Sequence, residues 1–182
     1  CGNMPYRSLF EQHLSTYRGC ELAENESAEL KFGTDGRIPL RDGCVDFVLS
    51  TQVLEHVPTP CEYLSEARRV LKPHAKLILS THGVWSFHPD PTDFWRWTSD
   101  GLKKQVESAE FEITHFRGLM GPPATALQLW LNYQLKARRF RGFLRKPTIR
   151  LFQWLIERAD YHCPPPIRDR DACVYMLVGV AR

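Results

Sequence analysis

The stretch from Asp46 to Leu79, DFVLSTQVLEHVPTPCEYLSEARRVLKPHAKLIL, limits what this chain can fold into more than any other. It reads as strand, loop, helix, turn, strand. Val45 to Leu49 is short and apolar, and the polar loop Ser50-Thr51-Gln52 follows at its carboxyl end. A helix around Pro60 to Leu71 places Leu64, Ala67, Val70 and Leu71 on one inner stripe. Lys72-Pro73 stops it, and Lys76 to Ser80 is a second strand. One βαβ unit of this kind implies a parallel sheet. In open parallel sheets, ligands sit in the crevice outside the strand carboxyl ends, which here is Ser50 to His56.

The rest of the chain is read around that unit. Pro5 opens a helix over Tyr6 to Tyr17. Arg18 to Leu22 is a short strand ending at Glu21, and Ala28 to Phe32 is another. Ala23 to Ser27 between them is too short for a helix. Thr81 to Thr98, THGVWSFHPDPTDFWRWT, is a long loop dense in His, Trp, Asp and Pro, and loops of that length tend to be functional. Ser99 caps a helix running to Ala109, and Glu110 to Phe116 alternates as a strand. Gly121-Pro122-Pro123 breaks the chain; Ala124 to Tyr161 is mostly helical with a break at Pro147; Pro164-Pro165-Pro166 ends it. Cys173 to Ala181 is a nearly continuous apolar strand suited to a buried position. The expected organisation is one domain over residues 1–182 with a helical insertion at about 122–162.

At 182 residues, with 43% hydrophobic and 25% charged, the chain can bury an ordinary core. A net charge of +3 is too small to imply a nucleic-acid partner. The six cysteines, Cys1, Cys20, Cys44, Cys61, Cys163 and Cys173, form no C-x-x-C pair and no Cys/His group at zinc spacing. No metal is therefore expected, and free thiols suit a reducing cytoplasm. No run approaches the roughly 18 apolar residues of a membrane span.

Gly2 and Asn3 lie in an opening turn, and Glu21 ends a strand about 20 residues on, an arrangement that binds ribose hydroxyls. With Gln52-Val53-Leu54-Glu55-His56-Val57-Pro58, Asp46 before it, Arg69-Val70-Leu71-Lys72-Pro73 after it and Ile38-Pro39-Leu40 upstream, the chain resembles class I S-adenosylmethionine-dependent methyltransferases. The resemblance is to the bacterial subgroup with a Leu-Glu-His motif, and covers roughly residues 1–116 and the final strand. It implies an α/β, Rossmann-like three-layer sandwich whose mostly parallel sheet has one antiparallel strand near an edge. It implies S-adenosyl-L-methionine as cofactor. Gly2 and Asn3 then correspond to the tail of the Gly-rich cofactor loop. Glu21 corresponds to the ribose-binding acid, Asp35 with Gly36 to the acidic position near the adenine, and Gln52 to the residue over the methionine part. The family's first strand precedes its Gly loop, so at least about ten further residues are expected upstream of Cys1. His74-Ala75 stands where the family usually has Gly-Gly.

In this family the segment after the fifth strand often lines the acceptor pocket. The His-Gly, His-Pro and Asp-Phe-Trp-Arg-Trp-Thr pattern of residues 81–98 resembles methyltransferases of glycan and polysaccharide gene clusters. Aromatic faces stack on sugar rings, while Asp, His and Arg supply hydrogen bonds. His56, His82, His88 and Asp93 are the candidates for taking a proton from an acceptor hydroxyl. Helix-start bonding for His56 and simple loop packing for Trp95 and Trp97 are equally open readings. Lys136 to Arg150 carries seven basic residues and no acid, interleaved with Phe140, Phe143 and Leu144. It suits either a solvated helical face or peripheral contact with anionic lipid or a phosphate-bearing acceptor. The expected function is methyl transfer to a small-molecule or glycan hydroxyl in the cytoplasm. The competing expectation is a non-catalytic protein of the same fold that binds a partner or a membrane.

Overall fold

A computed structural model describes residues 4–21, 28–89, 92–137, 139 and 145–182. Its centre is a four-stranded sheet. Strand β3 (Val45–Thr51) pairs in parallel with β4 (Leu71–His82), with Val48 opposite Leu77 and Ser50 opposite Leu79. Strand β6 (Val174–Ala181) lies antiparallel between β4 and β5 (Phe111–Leu119). The order is β3-β4-β6-β5, so β6 alone runs against the other three. A second, two-stranded parallel pair joins β1 (Cys20–Glu21) to β2 (Leu30–Lys31).

The βαβ reading of Asp46 to Leu79 is borne out. Helix α2 (Pro60–Val70) begins at a proline, whose missing N–H costs nothing in a first turn. It buries Leu64, Ala67 and Val70. Leu64, with Leu102 and Val106 of α3 (Ser99–Ser108), packs in one core cluster with Leu77, Leu79, Phe111, Tyr175 and Leu177 of the sheet. On the other face, Phe47 meets Phe10 from the short helix α1 (Arg7–Phe10), with ring centroids 5.8 Å apart. The strand after α2 starts earlier than the sequence suggested. Val45 pairs with Leu71 but Phe47 pairs with Lys76, so residues 72–75 bulge out of the ladder. His74 sits there at φ 63°, the left-handed region that favours glycine.

Other boundaries differ for physical reasons. The expected helix over Tyr6 to Tyr17 is only Arg7–Phe10. It buries no residue, and a short helix without a packed face is marginal in water. Ser99 does not cap α3. Thr98 does, with its hydroxyl accepting from the Gly101 N–H at 3.1 Å. The prolines expected to break or end helices instead open them. Pro122 and Pro123 start α4 (Pro122–Lys136), and Pro165 and Pro166 start α6 (Pro165–Arg170). Pro147 lies in the first turn of α5 (Arg145–Tyr161), so the helical break falls before it.

Helices α4 and α5 pack on each other through Ala124, Leu131 and Ile156, with Trp130 stacked on Phe152 at 4.9 Å. This is the helical insertion expected before the last strand. Asp160 accepts from the Gly121 N–H at 2.7 Å, and Asp169 from the Gly118 N–H at 2.9 Å, which ties the insertion to the end of β5. Among the described residues no helix is long and apolar enough to cross a membrane.

Candidate functional site

Because β3 and β4 are parallel, their carboxyl ends emerge side by side, bringing Ser50-Thr51-Gln52 next to Ser80-Thr81-His82. Gln52 turns out of β3 at φ 52°. Its N–H donates to the Ser80 carbonyl at 2.8 Å, and its side-chain Nε2 donates to Ser80 Oγ at 3.2 Å. The side-chain Oε1 is buried and has no hydrogen-bond donor. Below it, the Tyr63 hydroxyl donates to Ser50 Oγ at 2.9 Å. Burial pushes the Tyr63 phenol up to about 12, and the negative charges of Glu55 and Glu21 add to that.

The residue at the centre of the site is Glu55, the middle residue of the Leu-Glu-His motif, to which the sequence alone assigns no role. It lies in a single 3-10 turn over Leu54–His56 and is 0% exposed. Thr81 Oγ1 donates to its Oε2 at 2.7 Å. His82 Nε2 lies 3.6 Å from Oε1, which otherwise has no hydrogen-bond partner. The Glu55 carbonyl accepts from the N–H groups of both Phe94 and Trp95, at 2.9 and 3.2 Å. This fastens the returning leg of the long loop onto the turn. The signal available was position alone: a carboxylate one residue before His56, in the turn that follows β3.

His56, His82 and His88 are brought together. His88 lies edge-on to both others, with ring centroids 5.0 Å away in each case. His56 Nδ1 lies 2.5 Å from the Thr92 carbonyl, which can only accept. Nδ1 therefore carries the proton, leaving Nε2 as the acceptor. His82 is buried, and Trp85 stacks on it at 5.5 Å. Burial, then the neighbouring His88 and Arg96, pushes its imidazole down to about 4, so it is neutral near pH 7. One carboxylate oxygen of Glu55 and one ring nitrogen each of His56 and His88 lie within 4.8 Å of one another, a spacing that could hold a metal ion.

Asp93 stands beside this group but is engaged elsewhere. Both its oxygens accept from Arg96 at 2.6 Å, and Oδ2 also accepts from the His88 N–H at 2.9 Å. The Arg96 hydrogen bonds hold its carboxyl far below the usual carboxylate range. A carboxylate so stabilised is a weak base, and its geometry is that of a brace: Arg96 also donates to the Trp85 and Ser86 carbonyls. Trp97 packs on the core, while Trp95 is 40% exposed and donates Nε1–H to the Val57 carbonyl at 2.7 Å. Gly83 lets the chain leave β4 tightly, because a Cβ there would collide with the Ala172 carbonyl oxygen.

The cofactor-side candidates are more dispersed. Gly2 and Asn3 lie outside the described residues. Glu21 ends β1, half-buried, with the Phe32 N–H donating to its carbonyl at 3.0 Å. Asp35 and Gly36 occupy an exposed turn, where Asp35 accepts from the Arg37 N–H at 3.0 Å and Gly36 takes φ 76°. They are not part of the histidine cluster. The Ile38-Pro39-Leu40 motif is held from α2. Arg69 donates to the Leu40 and Ile38 carbonyls at 2.8 and 3.1 Å, while Glu66 accepts from the Ile38 N–H at 2.7 Å. Two surface hollows, of about 310 Å³ beside Tyr17 and Arg18 and about 490 Å³ beside Gly43 and Leu71, lie away from the strand carboxyl ends. Neither coincides with the chemistry.

Comparison with known proteins points to methyltransferases. Residues 1–79 match the family described as Methyltransferase domain. A Mycolicibacterium smegmatis protein named "Probable S-adenosylmethionine-dependent methyltransferase" is 29% identical over 97 residues, which is 50% of this chain and 38% of that protein. A Mycobacterium bovis protein named "Uncharacterized methyltransferase" is 46% identical over 48 residues, which is 26% of this chain and 18% of that protein. The matches thus span well under half the length of these curated relatives. A solved Bacillus halodurans protein described as a methyltransferase superposes with TM-score 0.55 at 15% identity, over 96% of this chain and 85% of that one. That likeness establishes the Rossmann-like α/β fold.

Proposed function

We propose that this chain acts as an S-adenosylmethionine-dependent methyltransferase on a hydroxyl of a small-molecule or glycan acceptor. The methyltransferase-domain match over residues 1–79 and the fold support the reaction class. The observation that carries the acceptor side is the convergence of His56, His82 and His88 over buried Glu55, at the carboxyl ends of two parallel strands. The residues fit the cofactor at one point in particular: Gln52 Oε1 is a buried acceptor with no donor, suited to the ammonium of the methionine part. Glu21 takes the ribose hydroxyls, Asp35 and Gly36 stand on the adenine side, and Gly2 and Asn3 belong to the loop before them.

When bound, S-adenosylmethionine supplies a methyl group on a sulfonium, open to in-line displacement by an oxygen. The chain's part is to position that oxygen and accept its proton. His56 offers Nε2, since Nδ1 is committed to Thr92. His88 stands beside it, Glu55 supplies negative charge behind both, and Asp93 with Arg96 holds the loop that carries His88. The exposed face of Trp95 suits a sugar ring. Calorimetric titration with S-adenosylmethionine tests the cofactor half. Saturable binding is expected, weakened by Glu21→Ala and by Gln52→Ala. Unchanged affinity in both variants would sink the assignment.

A membrane-peripheral, cytoplasmic setting has its own support. Helices α4 and α5 expose Trp130, Tyr133, Leu151 and Trp154 close in sequence to Lys136, Arg145, Lys146 and Arg150. Aromatic and basic residues together suit an anionic lipid surface. Co-sedimentation with phosphatidylserine vesicles is expected, and its persistence after reversing those four charges would remove the idea.

A further inference from the structure

Glu55, His56 and His88 form a set that proton transfer alone does not account for. Glu55 is fully buried, yet among the described residues only one of its oxygens is hydrogen-bonded. An unsatisfied carboxylate oxygen in the interior is costly unless a cation or a proton meets it. His88 Nδ1 is likewise buried without a hydrogen bond, 3.7 Å from Asp93 Oδ2 and therefore just outside bonding distance. His56 has the tautomer of a metal ligand: a backbone carbonyl fixes Nδ1–H and leaves the Nε2 lone pair free. The outer partners that orient such ligands are present too, as Thr81 on Glu55, Thr92 on His56 and Asp93 beside His88.

We propose that Glu55, His56 and His88 bind one divalent transition-metal ion of the zinc class. One carboxylate and two imidazoles suit borderline ions such as Zn2+ or Co2+ rather than Mg2+, which takes oxygen ligands and water. The donor atoms lie within 4.8 Å of one another. Donors of a tetrahedral ion lie about 3.4 Å apart, since each sits about 2.1 Å from it. Binding therefore draws in any pair that stands wider than that, and brings His88 Nε2 to the ion with Nδ1 facing Asp93, while His82 stays as a neighbour. Three protein ligands leave a fourth position open. On the methyl-transfer reading, that position would take the acceptor oxygen and the ion would acidify its hydroxyl, which loses its proton to solvent; the oxygen then takes the methyl group as the sulfonium leaves as a neutral thioether, and His56 and His88 act through the ion rather than as free bases. Only this role rests on that reading; binding does not.

The test is titration of the tag-free, metal-stripped chain with Co2+, followed by visible d–d absorption, and with Zn2+ by calorimetry. One equivalent is expected to bind and to give a four- or five-coordinate cobalt spectrum, unaffected by excess Mg2+. His56→Ala and His88→Ala are each expected to weaken binding by more than about ten-fold. His115→Ala, on an exposed position of β5, is expected to leave it unchanged. Glu55→Gln is read only after circular dichroism shows that it folds, and His88→Ala keeps the test decisive if it does not. Absence of a saturable site, or equal affinity in His88→Ala and the unaltered chain, would overturn the proposal even if methyl transfer is observed. Metal binding with no methyl transfer to any hydroxyl acceptor would leave the site standing and remove the reaction assigned to it.

Discussion

Glu55 shows how much of a site can depend on one hydrogen bond. Its single side-chain donor is the Thr81 hydroxyl, buried with it. Replacing Thr81 with valine keeps the shape and removes that donor. Thr81→Val is expected to cost about 1.5–3 kcal/mol, read as a fall in urea midpoint at constant m-value. Glu66 makes a second prediction. Hydrogen bonds from Arg69 hold its carboxyl below the usual carboxylate range, burial opposes this, and the Ile38 N–H assists. A group with a depressed folded pKa contributes stability that is present above its unfolded pKa and is lost as pH falls through its folded one. Glu66→Gln is therefore expected to lower the melting temperature at pH 7 and to flatten the fall in stability below about pH 4.5. Unequal losses at pH 7 and pH 3 are the signature. The histidines were legible as residue types beside strand ends, where chemistry and packing were equally open readings. Glu55 was not, because nothing in a sequence says that a carboxylate will be fully buried. Asp93 was legible as charged, and the folded loop engages it with Arg96, three residues on.

At the scale of elements, the apolar stripe of α2 and the two strands around it were readable because periodicity and length agreed. The prolines misled. They were read as stops, yet in α4, α5 and α6 they fall in first turns, where no backbone donor is lost. The segment Tyr6 to Tyr17 misled in the other direction: helix propensity without a buried face yields only one turn. The helix stop before Pro73 was legible, but the bulge over residues 72–75 and its left-handed residue were not. His74 at φ 63° pays the steric cost of a Cβ in that region. His74→Gly is expected to stabilise the chain by about 1 kcal/mol, seen as a rise in denaturation midpoint with no change in m-value. A loss of stability would mean that the imidazole makes a compensating contact.

For the molecule as a whole, ligand linkage is the most direct measure. Anything that binds only the folded state raises its stability, by about 2.7 kcal/mol at a hundred times the dissociation constant. S-adenosylhomocysteine is expected to raise the melting temperature in a concentration-dependent way, with the effect reduced in Glu21→Ala. A flat melting curve would favour a non-catalytic role for the fold. The position of β6 has a different consequence. It is made after the helical insertion, yet it lies between β4 and β5 and is hydrogen-bonded to both. Those two strands have no ladder with each other. On the ribosome, Leu71–His82 and Phe111–Leu119 must therefore wait, edges open, through the synthesis of more than fifty residues until Val174–Ala181 emerges to join them. The time for which those strand edges stay open is thus set by the length of α4 to α6, a segment that supplies none of the proposed site residues.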